Sequence, residues 1–68
     1  MTMLKVIEVL AQSDKSWEDA AANAVKQAAE TVRGIKSIYV KEMEASVEDG
    51  KIVQYRVNAK ISFLLAES

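Results

Sequence analysis

Glu42, Glu44, Glu48 and Asp49 form the one concentration of carboxylates in this 68-residue chain. Carboxylate oxygens are hard donors, and a cation such as calcium takes about six to eight oxygen ligands. Glu42 and Glu44, two residues apart, share one face of any strand they occupy. There is no D-x-D-x-D-G loop, so a calcium site on these two must borrow ligands from neighbouring subunits. Lys41 and Lys51 lie close by, and a solvated hairpin rim is the plainer reading of the same residues.

Arg56 is the second residue with chemical promise. Gln54 and Asn58 flank it at the alternate positions, so it belongs to a polar strand face. Either it pairs across subunits with a carboxylate, for which Glu42 or Glu44 is the candidate, or it lines a cavity and holds an anion. A planar bidentate donor suits the intersubunit pair better. Trp17 reads as a packing or subunit-contact residue at the first helical position.

Catalysis finds little to work with. Ser13, Ser16, Ser37, Ser46, Ser62 and Ser68 have no histidine to activate them, because the chain contains no His. The absence of Cys excludes disulfides, thiolate metal sites and redox chemistry. No glycine-rich phosphate loop occurs. The expectation is that this is not an enzyme. The net charge of −1, with scattered basic residues, gives no nucleic-acid footprint. No apolar run approaches the roughly 18 residues of a membrane span, and no signal-peptide pattern opens the chain. A soluble, cytoplasmic protein with no membrane partner is the expectation.

The elements that position these residues follow from periodicity. Tyr55, Val57, Ala59, Ile61, Phe63 and Leu65 alternate with Gln54, Arg56, Asn58, Lys60 and Ser62. That is one long strand with an apolar and a polar face. A short first strand, Met3 to Ala11, is apolar enough to be buried on much of both faces. Gln12 to Lys15 turns the chain, and Ser16 with Asp19 begins a helix. Trp17, Ala20, Ala21, Ala24, Val25, Ala28 and Val32 make its apolar stripe, ending at Gly34 as a C-terminal cap. A stripe of alanines lets the helix lie close to a sheet, as a thin lid. The second strand, about Lys36 to Val47, changes phase: Ile38 and Val40 share one face, and Met43, Ala45 and Val47 fall on the other. A bulge near Lys41–Glu42 or a strong twist is implied, or else both faces are buried at different points. Asp49-Gly50 is a hairpin turn.

The expected fold is α+β in β-α-β-β order, a single domain over residues 1–68, with a three-stranded antiparallel sheet wrapped around one helix. The long hairpin is more sheet than one helix covers, and so small a domain is marginal alone. Without disulfides or a structural metal, self-assembly is the remaining stabiliser.

The opening Lys5-Val6-Ile7-Glu8 and the helix start Ser16-Trp17-Glu18-Asp19-Ala20-Ala21-Ala22 resemble the dodecins. The tail Tyr55-Arg56-Val57-Asn58-Ala59-Lys60-Ile61-Ser62-Phe63 fits that family's closing strand. The resemblance covers essentially the whole chain, and length, order and spacing carry as much weight as any one motif. It implies a hollow homododecamer that stores a small ligand, in many members riboflavin or a related flavin such as FMN. It also implies flavin positions: a tryptophan early in the second strand, matching Ser37 here, and a glutamine in the third, matching Arg56. Both are replaced, so flavin binding is expected to be weak or absent. Tyr39, on the same face as Ser37, is the partial substitute. The chain looks more like the flavin-independent branch, one member of which is described as a calcium-binding dodecin. Calcium at Glu42 and Glu44, or a purely structural assembly, is the alternative.

Overall fold

A computed structural model describes residues 2–65, so Ser68 lies outside the described residues. The order is β1 (Leu4–Ser13), α1 (Trp17–Ala28), β2 (Ile35–Glu48) and β3 (Lys51–Leu64). The strands form one sheet in the order β1-β3-β2, with both pairs antiparallel. The expected α+β architecture is therefore present, with the most regularly alternating strand at its centre.

The helix starts where its sequence says it should. Ser16 is extended (φ −170°, ψ 167°), and its Oγ accepts from the Asp19 amide at 2.9 Å, satisfying one of the orphan first-turn donors. The Asp19 carboxylate is held by the Ser13 hydroxyl at 2.6 Å and Asn23 Nδ2 at 3.3 Å, which fastens the turn to the helix. The other end departs from expectation. The helix stops at Ala28 and not near Gly34; Ala29 caps it, and the Glu30 and Thr31 amides close tight turns onto Gln27 and Ala28. The Thr31 hydroxyl also donates to the Ala28 carbonyl, competing with further helix. Gly34 has another task. At φ +74° it opens β2, and a Cβ there would lie 3.2 Å from Leu64 Cβ, while its carbonyl accepts from the Leu64 amide.

The phase change in β2 is a bulge. The register moves between Val40 and Glu42 against consecutive β3 partners, leaving Lys41 as the extra residue. Ile38, Val40, Met43 and Ala45 consequently pair with Ile61, Ala59, Val57 and Tyr55, all on the helix side. The bulge thus reunites apolar residues that strict alternation would have divided. Two further irregularities were not foreseen, one at Lys36 and one that makes Val53 the extra residue on β3. Asp49 (φ 53°) and Gly50 (φ 74°) form the hairpin turn with both central residues left-handed.

The core is small: Ala20, Ala24, Val57, Ala59 and Ile61. Trp17 extends it by packing edge-on against Tyr55, with ring centroids 4.9 Å apart. The first strand is not buried on both faces as expected. Its even positions Leu4, Val6 and Leu10 are 53%, 53% and 65% exposed on the face away from the helix. The reason is geometric. One helix covers one side of the sheet, and β1 alternates across that sheet like any other strand.

Candidate functional site

The face opposite the helix carries Ser37, Tyr39, Glu42, Glu44 and Arg56. It is ordered in rows across β1, β3 and β2, because directly paired residues point the same way. Gln12, Arg56 and Glu44 form one row, and Leu10, Asn58 and Glu42 the next. Glu8, Lys60 and Tyr39 follow, then Val6, Ser62 and Ser37. Glu42 and Glu44 share a face as expected, and so do Ser37 and Tyr39. Glu48 and Asp49 do not join them: Glu48 pairs with Lys51 at the hairpin tip, and Asp49 is in the turn.

Arg56 makes three side-chain hydrogen bonds within its own chain. Its Nη1 donates to Glu44 Oε1 at 2.8 Å, Nε to Gln12 Oε1 at 3.0 Å, and Nη2 to Ser46 Oγ at a longer 3.5 Å. The Glu44 partner matches the sequence expectation. Its location in the same chain does not, since an intersubunit pair was expected. The hairpin register sets Glu44 directly opposite Arg56, so the ion pair forms within one chain. Glu44 is 65% exposed, which makes this a surface pair of about 0.2–1 kcal/mol, to which two further hydrogen bonds add. Arg56→Ala is therefore expected to cost about 1–2 kcal/mol in a denaturant melt. Arg56→Lys should fall between, because an ammonium cannot reach three strands with one planar fork. A melt of Arg56→Ala identical to the parent would show that the three contacts contribute nothing.

Beside this pair, Leu10, Glu42, Met43, Glu44, Arg56 and Asn58 line a cavity of about 280 Å³. Asn58 Oδ1 is buried and accepts no hydrogen bond among the described residues. Such an orphan acceptor costs about 1–3 kcal/mol unless a water, ion or neighbour serves it. Sequence reading did not single out Asn58. Its one signal was membership of the polar face, shared with four other residues. Trp17 Nε1 donates at 3.0 Å to the backbone carbonyl of Glu44, a contact that sequence spacing cannot reveal.

The donor set suits a hard cation in kind but not in number. Glu42, Glu44 and Asn58 offer oxygens only, yet among the described residues no three acidic, histidine or cysteine side chains gather as a metal cage. One copy supplies part of a shell. Ser37 meets the Ser62 hydroxyl across the hairpin, and Tyr39 is 64% exposed beside Lys60. Arg56 and Ser62 are six residues apart on β3, about 20 Å of strand. Ser37, opposite Ser62, therefore cannot meet the same small ligand as Arg56 of its own chain.

The chain's sequence matches the Dodecin family over residues 3–66. It is 36% identical over 63 residues to a calcium dodecin of Mycobacterium tuberculosis, covering 93% of this chain and 89% of that protein. The crystal structure of the M. tuberculosis calcium dodecin, described as calcium-chelating, superposes with a TM-score of 0.80 at 39% identity, covering 97% and 94% of the two chains. A dodecin from Streptomyces coelicolor superposes with a TM-score of 0.92 at 31% identity, over 98% of this chain and 96% of that one. With this fold, and with the family's pattern running from β1 to the end of β3, the chain belongs to the dodecin family.

Proposed function

We propose that the protein is a non-enzymatic binding and storage shell, a cytoplasmic homododecamer whose small ligand is a divalent cation, calcium, and not a flavin. The observation that carries this reading is the state of Arg56. At the position that the resemblance matches to the flavin-reading glutamine, this guanidinium donates to Gln12, Glu44 and Ser46. Glu42, Glu44 and Asn58 are among the residues that line the cavity beside it. Those three residues would hold the ion, with the remaining ligands from water or another copy. The calcium-chelating relative supports the same choice of ligand. Nothing in the reading calls for a nucleic acid or a membrane; among the described residues no helix is long and apolar enough to cross one.

Titration calorimetry with calcium, magnesium, riboflavin and coenzyme A, paired with native mass spectrometry, tests it. Calcium is expected to bind saturably and riboflavin to give no heat. Glu42→Gln should weaken calcium at least about tenfold, the least that mutation of even an outer-shell partner typically costs. An intact assembly that takes up no cation would leave a purely structural shell as the better account.

A further inference from the structure

We propose that the groove between α1 and β2 seats the hairpin overhang of a second copy of this chain. This rests on the assembly in the reading above and names a surface that builds it. α1 packs mainly over β1 and β3, so the helix side of β2 is left bare. The result is a groove of about 430 Å³, with Val40, Met43 and Val57 as its floor and Trp17, Glu18 and Ala21 along the helix wall. Glu18 is its one charged lining residue. The Lys41 bulge turns both Val40 and Met43 to this side, yet both stay exposed. The inserted residue therefore gathers apolar side chains on a surface that the chain's own helix does not cover.

The same side of the sheet continues past the start of the helix. Trp17 marks that start, with its ring on Tyr55 and its Nε1 on the Glu44 carbonyl. Beyond it, Val47 follows Met43 and Ala45 at alternate positions of β2, and Ile52 is its direct partner on β3. Both are exposed. Groove and overhang lie along one face of one hairpin, so neither can cover the other within a chain. Laying the overhang of one copy into the groove of the next covers both surfaces in every copy, as a head-to-tail contact that closes on itself does. The area fits. The accessible surface of 5118 Å² exceeds that expected for a monomer of this mass by about 900 Å². A stable interface takes about 800 Å² from each partner. The residue types fit as well, since aromatic side chains and Met are enriched at interface cores and charges are depleted there.

Oxidation of Met43 by hydrogen peroxide in the assembled wild type, read by mass spectrometry, tests whether the groove is covered. Met43 is expected to oxidise at least about tenfold more slowly than in the same protein unfolded in guanidinium, because oxidation follows exposure. A single chain leaves Met43 63% exposed and gives it no such protection. Ala21→Cys and Val47→Cys chains, co-assembled and treated with a short bismaleimide, test the occupant, and no native Cys interferes. Links between unlike chains are expected. If the particle is intact and Met43 oxidises as fast as in guanidinium, the groove is open and this inference is wrong, while the storage-shell reading stands. If Met43 is protected but unlike chains do not link, the overhang assignment falls. The occupant is then another surface of the copy, or a foreign protein seen as added mass in native mass spectrometry. If the wild type runs as single chains, the shell reading falls and takes this inference with it. Should the Cys chains not assemble, the wild-type oxidation rate decides, and an unprotected Met43 overturns the proposal.

Discussion

Light scattering of the purified protein at micromolar concentration is expected to give a particle of about twelve 7.5-kDa chains, and Val47→Asp is expected to abolish it. The reason is the mismatch between hairpin and helix. Fourteen-residue strands run about 45–48 Å, whereas a twelve-residue helix spans about 18 Å. The far half of the hairpin is left without cover. The fold is accordingly drawn out to 54 × 20 × 13 Å, with a radius of gyration of 14.0 Å against about 11 Å for a compact domain of this length. Its accessible surface of 5118 Å² exceeds by about a fifth the area expected for a monomer of its mass. Met43, Val47 and Ile52, on or near that overhang, are 63%, 62% and 48% exposed. If the single chain were the working form, Asp at a site as open as Val47 would change stability by no more than about 0.5 kcal/mol. If another copy covers it, a charge is buried without a partner, at a cost of several kcal/mol in every copy. The marginal monomer would then unfold or aggregate on separation. A parent protein that runs as a monomer or dimer, or a Val47→Asp variant that assembles normally, would remove the case for the shell.

The residues that were easiest to read are those whose environment is set by their own strand or turn. β3 alternates because one side faces Ala20 and Ala24 and the other faces away, and that regularity is visible in Tyr55 to Phe63 without any structure. The Lys41 bulge was legible for a related reason: Val40 and Met43 can share a face only if one residue is inserted. The helix end was misjudged because Val32 continues the three-and-four spacing past the true stop. Gly34 is a good helix cap by type, but its left-handed backbone serves the crowded entry to β2 beside Leu64. At the site, sequence supplied the residue types and the shared face. It could not supply the register, which alone decides that Glu44 meets Arg56 in one chain and that Asn58 Oδ1 is orphaned. Trp17 and Glu44 are twenty-seven residues apart, and no local pattern links an indole to a distant edge-strand carbonyl.

Riboflavin is expected to leave the wild-type protein colourless and to bind the double variant Ser37→Trp, Arg56→Gln. Ser37 is exposed, its hydroxyl lies against that of Ser62, and it offers a ring no stacking surface. A tryptophan there would supply a stacking face worth about 0.5–1.5 kcal/mol beyond the area it covers. Burying that ring against a flavin adds several kcal/mol more, at about 25 cal/mol per Å². Because Ser37 and Arg56 lie about 20 Å apart along one hairpin, their contributions must meet through different copies. Arg56→Gln alone should therefore gain almost nothing, since it adds a hydrogen-bonding edge without a surface to hold the ring. Ser37→Trp alone should bind measurably, and the double variant at least about tenfold more tightly, as a correctly placed pair of hydrogen bonds contributes about that much. Flavin fluorescence quenching in the assembled proteins gives the comparison directly. If the wild type is yellow and quenches flavin, stacking already exists without Trp at this position. Tyr39, 64% exposed two residues along the same face, is then the ring that provides it, and Tyr39→Ala should bleach the protein.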